Sequence, residues 1–228
     1  MKGSSSKFGD TMAICAIVRL VVIRLHAQVL QGARNPAEAT EAALDIQHGV
    51  DRCTRLMEQL LVLARLDPQH PTLEQQQFDL AQQIITVAAQ HDYLLKQHQI
   101  QLQLDIPATP LRGNPDQIEI LLRNLLDNAI RYGGDGHIIR IQCGLNAQQQ
   151  VYLSVEDQGV GIPVAQRNQV FDRFYRLADA KSSGSGLGLS IVRQIVQLHQ
   201  ASITLTEGRN QQGARFVVTF AAQNPPRT

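Results

Sequence analysis

Two asparagines, an arginine and a tyrosine, at Asn124, Asn128, Arg131 and Tyr132, open a series of four short signals in the second half of the chain. The others are Asp157 with Gly159 and Gly161, then Phe171-Asp172-Arg173-Phe174-Tyr175-Arg176, then Gly184-Ser185-Gly186-Leu187-Gly188-Leu189. Amide oxygens ligate hard cations, guanidinium groups bind phosphate, a carboxylate accepts from an exocyclic amine, and glycine-rich turns bring phosphate to the backbone. Each signal alone is common. All four in this order within roughly 70 residues describe a pocket for ATP and a magnesium ion.

The elements that must position these residues are also legible. Asn114-Pro115-Asp116-Gln117 reads as a helix start, with Asn as cap, Pro at the first helical position and Gln at the third. Ile118, Leu122, Leu125, Leu126 and Ala129 then recur at helical spacing, and Gly133-Gly134 ends the run. Asn124, Asn128 and Arg131 share one face beside that apolar stripe, with Tyr132 at the boundary. A solvated polar face would carry the same residue types, so the partner signals decide. Val151 to Glu156 alternates as a strand that delivers Asp157 at its end, where a carboxylate can accept from the amine of adenine. Gly159 and Gly161 would let the ring approach the backbone. The last glycine cluster feeds an amphipathic helix from Ser190 to Leu198, whose N-terminal N–H groups and dipole suit phosphate. No Gly-Lys-Ser/Thr follows, which excludes a P-loop, and no strand leads straight in, which excludes a dinucleotide-binding turn.

The four signals resemble the N, G1, F and G2 boxes of the GHKL ATP-binding fold, in the form found in sensor histidine kinases of bacterial two-component systems (QseC/PmrB-like). Arg123-Asn124-Leu125-Leu126-Asp127-Asn128-Ala129-Ile130-Arg131-Tyr132 and Gly184-Ser185-Gly186-Leu187-Gly188-Leu189-Ser190-Ile191-Val192 carry the closest likeness, which extends over about residues 20 to 221. The resemblance implies that Asn128 coordinates Mg²⁺ and that Asn124, Arg131 and Tyr132 line the nucleotide. Asp157, with Gly159 and Gly161, would read adenine. Arg176, Gly184, Gly186, Leu187 and Gly188 would face the phosphates, and the segment from about Gly161 to Gly186 corresponds to the family's mobile lid. Hydrolytic relatives (gyrase, the Hsp90 chaperones, MutL) carry a water-activating glutamate where this chain has Asn124. A carboxamide cannot serve as general base, which favours phosphoryl transfer to a supplied nucleophile over hydrolysis.

The first third should supply that nucleophile. Asn35-Pro36 opens a helix to about Leu66 with Leu44, Met57, Leu60, Leu61, Leu63 and Ala64 as its apolar face. A preceding helix, Leu20 to Gln31, joins it through Gly32-Ala33-Arg34, and two such hairpins would pair as a dimerising four-helix bundle. In the family the first of these helices carries His-Glu-x-x-Thr/Ser-Pro-Leu. Here Ile14 stands at the histidine, Cys15 at the glutamate and Arg19 at the proline, so the acceptor box is missing. None of the 7 histidines is followed by an acidic residue and Ser/Thr-Pro. His26, the nearest, reads as a surface or bundle-edge residue, and His48, His91, His98, His137 and His199 as ordinary helix or strand-end residues. Lys2 to Val18 shows no resemblance, which an altered start or a frameshift upstream of Arg19 would explain.

The expected architecture is α+β: a helical hairpin, then an α/β sandwich of one mixed sheet with helices on one face. Its boundaries are an atypical segment 1–18, the hairpin 19–67, a Pro-flanked linker 68–77, the ATP-binding domain 78–222 and a tail 223–228. Strands are expected at Gln77-Phe78, Ile100–Ile106, His137–Leu145, Val151–Glu156, Ser202–Glu207 and Gly213–Phe220, and a helix from Asp79 to about Gln97. Ala214 departs from the family's Thr, and Gln200-Ala201 from its glycines after His199, a change expected to touch only a turn. A net charge of +1 gives no basic field for nucleic acid. Cys15, Cys53 and Cys143 lack metal spacing and suggest a reducing compartment. Met12 to Ile23 is short for a membrane span and contains Arg19, so the chain reads as a cytoplasmic core whose full-length relatives are membrane-anchored. Three functions compete. One is a histidine kinase core that passes phosphate on to a response regulator receiver domain. Another is an ATP-binding remnant acting only in trans or not at all. The third is an anti-sigma type Ser/Thr kinase, disfavoured by the hairpin.

Overall fold

The computed structural model describes residues 24, 27, 30, 35–65, 75–177 and 185–221. Ile14, Cys15, Arg19, His26, the turn 32–34, linker residues 68–74, Gly184 and the tail fall outside them. Of the expected first helix, Arg24, Ala27 and Leu30 are described, all helical. The chain divides into two compact units, Met1–Val62 and Leu63–Thr228.

The first unit contributes most of helix α1, Pro36–Arg65. Its start is as expected: Asn35 accepts through Oδ1 from the Glu38 amide at 2.9 Å and donates through Nδ2 to the Glu38 carboxylate at 3.0 Å. This reciprocal cap fixes where the helix begins. Leu44 and Met57, expected on the apolar face, are about half exposed within the single chain.

The second unit is built on a five-stranded sheet in the order β2-β4-β5-β7-β6. Its strands are β2 (Gln101–Asp105), β4 (Ile138–Leu145), β5 (Val151–Glu156), β6 (Ser202–Glu207) and β7 (Ala214–Thr219). β2 and β4 run parallel and the other pairs antiparallel. Alternation gives the sheet two unlike faces. Ile139, Ile141, Cys143, Leu153, Val155, Phe216 and Val218 are buried against helices. On the opposite face the register places Arg140, Glu156 and Arg215 side by side on three strands. Glu156 is 2% exposed, and Arg140 Nη1 reaches its Oε1 at 3.3 Å, so the charge is desolvated but paired.

Helices α2 (Leu80–Gln90), α3 (Asp92–Gln97), α4 (Pro115–Gly133) and α5 (Gly188–Leu198) complete the unit. α4 follows its expected boundaries: Asn114 Oδ1 accepts from Gln117 N at 3.0 Å, and Pro115 occupies the first turn. Ile118, Leu121, Leu122, Leu125 and Leu126 are at most 1% exposed. Burial of each such side chain contributes about 2 kcal/mol.

Three expectations need correction. Gln77-Phe78 does not join the main sheet. It belongs to β1 (Gln76–Asp79), which pairs with β3 (Pro110–Gly113) in a separate two-stranded sheet. β3 offers one apolar residue, Leu111, between Pro and Gly, too short a run to show a period. The single helix expected from Asp79 breaks at His91 (φ −97°, ψ 1°), with no Pro or Gly to announce it. The turn after α5 also asks for more than a neutral replacement, because Gln200 takes φ +52° where glycine is favoured. Its amide bonds Gln197 O at 3.1 Å and that of Ala201 bonds Val196 O at 2.9 Å, a pairing that requires the left-handed residue.

Two histidines, the buried His91 and the half-buried His199, tie the helices with opposite charge preferences. His91 Nδ1 faces Val87 O at 2.8 Å and Nε2 faces Asp127 Oδ1 at 3.0 Å. Both partners are acceptors, so satisfying them takes the doubly protonated ring. The Asp127 bond raises His91 above its ordinary 6.5, against the pull of burial. His199 instead accepts from Asn114 N at Nε2 (3.2 Å) while Nδ1 faces Ile195 O at 2.9 Å, which suits the neutral ring. Burial holds it below 6.5. The signs therefore differ. The His91 contribution is complete below pH 6.5 and is lost as pH rises through its raised folded value. The His199 contribution is present above pH 6.5 and is lost as pH falls through its lowered one. Urea unfolding of His91→Phe should show its larger loss, about 1 kcal/mol or more, at about pH 5.5 rather than pH 8.5. His199→Phe should show the reverse order.

Candidate nucleotide site

The four signals meet within the second unit, and glycine contacts show how closely. Asn124, half-buried on α4, donates from Nδ2 to Ile120 O at 2.7 Å. A Cβ added to Gly188, the first residue of α5, would lie 2.9 Å from Asn124 Oδ1. The first turn of α5, which no side chain caps, therefore abuts the asparagine face of α4. Asn128 lies one turn on, half-buried, with its amide nitrogen enclosed and unpartnered among the described residues. Arg131 is exposed and Tyr132 half-buried at the end of the same helix.

Asp157 is 5% exposed. Its Oδ1 accepts from Gly159 N at 2.9 Å and from Ala214 N at 3.2 Å. Burial raises this carboxyl above its ordinary 3.8, and the two amide donors pull it back down. With Oδ1 taken by the main chain, Oδ2 is the acceptor left for a ligand. Gly213, at φ +73°, makes the arrangement possible, since a Cβ there would come within 2.0 Å of Asp157 O. Gly159 and Gly161 have a role that sequence reasoning did not anticipate. A Cβ on Gly159 would meet Tyr132 O at 2.2 Å, and one on Gly161 would meet Gly213 O at 2.9 Å. They let the chain approach itself. Only a contact map could reveal that, because the motif alone does not name the neighbour.

The aromatic and glycine-rich signals are stitched together by main chain. Phe174 N donates to Gly186 O at 2.8 Å, Phe174 takes φ +64° and Gly186 φ +73°. Phe171 stacks edge-on against Phe216 of β7 at 6.3 Å. The side chain of Leu187 is fully buried, so this residue can offer a ligand only main chain, and its N–H already donates to Ser185 Oγ at 3.2 Å. Arg176 is exposed just before residues 178–184, which with Gly184 lie outside the described residues. The lid expected from Gly161 to Gly186 is anchored over much of its described length. Arg167 Nη2 pairs with Glu207 at 3.0 Å, Arg193 with Asp172 at 3.6 Å, and two short 3₁₀ turns span 164–166 and 169–171.

The donor set fits a nucleotide better than a protein-caged metal. Among the described residues no group of three His, Cys, Asp or Glu could hold an ion. The uncapped start of α5 offers main-chain N–H groups to phosphate oxygens, and because the enclosed atom of Asn128 is the donor Nδ2, its Oδ1 is the atom that could face a cation.

Comparison with known proteins identifies the domain. The model of the histidine kinase-, DNA gyrase B- and HSP90-like ATPases matches residues 113–224. These residues form a domain of that ATPase family. The chain's relatives extend beyond the ATPase domain. The swarming motility regulation sensor protein RssA of Serratia marcescens is 30% identical over 216 residues, 92% of this chain and 45% of the relative. Sensor protein kinase PmrB of Pseudomonas aeruginosa is 33% identical over 92% of this chain and 44% of its own. Sensor protein QseC of Escherichia coli (strain K12) is 32% identical over 85% and 42%. The chain thus spans less than half the length of these curated relatives. Among solved structures, the cytoplasmic segment of histidine kinase QseC matches at TM-score 0.52 and 28% identity, covering 77% of this chain and 97% of that one. Acinetobacter baumannii histidine kinase AdeS shares the fold at TM-score 0.72 and 22% identity, over 90% and 96%.

The glycine contacts in the ATPase domain separate two kinds of constraint. Gly159→Ala drives a methyl into main chain and should cost about 2–3 kcal/mol in urea unfolding. Gly188→Ala meets only the movable tip of Asn124 and should change stability by less than about 1 kcal/mol.

Proposed function

We propose that this chain is the kinase core of a two-component sensor, binding Mg-ATP and transferring its γ-phosphoryl group to histidine. The observation that carries this reading is the state of Asn124. In the family's hydrolytic members this position holds a glutamate that activates water. Here it is a carboxamide whose nitrogen is committed to Ile120 O and whose oxygen abuts Gly188. The site can position phosphate but offers no base there. Asp157 Oδ2 would accept from the adenine amine, and Arg131, Tyr132 and Arg176 would line the nucleotide. The first turn of α5 would receive phosphate oxygens. Asn128 would hold magnesium, which when bound offsets the charge of the β- and γ-phosphates.

The partners follow from the same reading. A structure of histidine kinase ThkA in complex with response regulator protein TrrA shares this fold at TM-score 0.75 and 20% identity. A receiver domain is the proposed acceptor of phosphate from histidine. Half-exposed Leu44 and Met57 on α1 support a homodimer through the hairpin, where a second copy would cover them. Among the described residues no helix is long and apolar enough to cross a membrane. The proposed place of work is the cytoplasmic side, where longer relatives would be anchored.

One sequence observation supports a second reading, in which the chain binds ATP but phosphorylates only in trans. The acceptor box is absent, with Ile14, Cys15 and Arg19 at its key positions. Ile14 offers no nitrogen to attack phosphorus.

Two measurements test these readings. Calorimetry should show Mg-ATP binding that Asn128→Ala reduces at least about tenfold; unchanged affinity removes the magnesium assignment. Incubation with γ-labelled ATP should leave the chain itself without acid-labile label, while a hairpin carrying an intact acceptor box becomes labelled. Label on the unmodified chain would point to His26 and overturn the second reading.

A further inference from the structure

The only element that carries four of the nucleotide-site candidates is α4, and its apolar underside does not by itself say how far it slides or turns. Leucine packing is non-directional and tolerates small shifts, whereas a buried hydrogen bond fixes direction. Among the described residues, two part-buried bonds reach α4 from α2 and the residue that ends it, besides the His199 bond to the cap Asn114 and an exposed bond from Gln90 to Glu119. Gln83 Nε2 donates to Pro115 O at 3.0 Å, at the far end of α4 from the asparagines. His91 reaches Asp127 Oδ1 at 3.0 Å, beside Asn128 in the chain and within a turn of Asn124 and Arg131.

His91 is itself immobile. It is 6% exposed, it ends α2 and precedes α3, and its other ring nitrogen is held by Val87 O at 2.8 Å. Its own backbone N–H bonds Val87 O and Ala88 O at 3.2 and 3.1 Å. A ring held by Val87 O on a bonded backbone makes a rigid post, while Asp127, half exposed at its side chain, has no need of a partner for solvation. Asp127 therefore keeps its own solvation without the bond, which fixes the direction of α4 as well as pairing the buried His91 ring. Arg123, one turn earlier on α4, is the other charge that His91 feels.

We infer that His91 is a positioning residue for the nucleotide site, holding α4 through Asp127 so that Asn124 and Asn128 meet the start of α5 in register. It touches neither ligand nor metal. The inference rests on the proposed Mg-ATP binding and adds a residue outside all four motifs.

The test compares four variants of the full chain by Mg-ATP calorimetry and urea unfolding. His91→Phe keeps the ring volume and removes both bonds; His91→Gln keeps an amide donor toward Asp127; Asp127→Ala removes the receiving end. Gln83→Ala breaks the other part-buried tie between the same helices. His91→Phe and Asp127→Ala should each weaken Mg-ATP binding about 5-fold. The double variant should be no weaker than either alone. His91→Gln should recover most of the loss, and Gln83→Ala should lower stability without changing affinity. A His91→Phe variant that is destabilised like Gln83→Ala yet binds Mg-ATP as the unmodified chain does would overturn the inference, as would losses that simply add. Should His91→Phe fail to fold, Asp127→Ala against Gln83→Ala carries the same comparison. An unmodified chain that does not bind Mg-ATP would overturn the proposed function as well, which keeps the two failures apart.

Discussion

One end of the candidate site depends on a single desolvated carboxylate. Asp157 stands at the end of a central strand, and its Oδ1 draws the amides of Gly159 and Ala214 onto itself. That pulls three stretches of chain together: the turn after β5, the start of β7 and, through Gly159, the end of α4. At each meeting the clearance is too small for a methyl group. The glycines are thus consequences of the carboxylate's position, and the spacing that reads as a motif is the record of which backbones must touch. The same arrangement decides what is left for a ligand, because the oxygen not consumed by main chain is the one that can read an amine.

α4 serves packing and chemistry together. One side buries leucines against the sheet, and the other carries the asparagines. Those two demands have different tolerances. The apolar side is satisfied by area, the polar side only by position. Directional contacts accordingly gather around this helix: the Asn114 cap at its start, the Asn124 bond to Ile120 within it, and Asp127 on its flank. His199 adds a link from the end of α5 to Asn114, so the two helices of the site are tied at remote ends as well as at the glycine contact.

The parts legible in the sequence were those with a period or a cap. α4, β4, β5, β6 and β7 fell close to their expected ends because alternation or helical spacing persists for at least five residues. What escaped was short or aperiodic. β3 has four residues and one apolar side chain. The break at His91 coincides with a ring held between Val87 O and the distant Asp127, a tertiary contact invisible in local propensity. The left-handed turns at Gln99 and Gln200 lack the glycine that would have marked them. At the candidate site the four signals meet within one unit, but the packing roles of Gly159 and Gly161 and the buried side chain of Leu187 needed coordinates. The acceptor region remained a matter of sequence alone.

The parallel pairing of β2 with β4 has a kinetic consequence. A hairpin cannot join parallel neighbours; the chain must cross over, and here the crossing contains β3 and α4. Edge closure therefore waits for the asparagine-bearing helix to dock, since contacts far apart in sequence form only after the intervening loop has been closed. Substitutions on the inner face of α4 should slow folding as well as weaken the native state, whereas those on β6, which joins β7 through a short antiparallel connection, should act mainly on unfolding. Selection on this helix would then be felt first as protein yield, before any change in turnover.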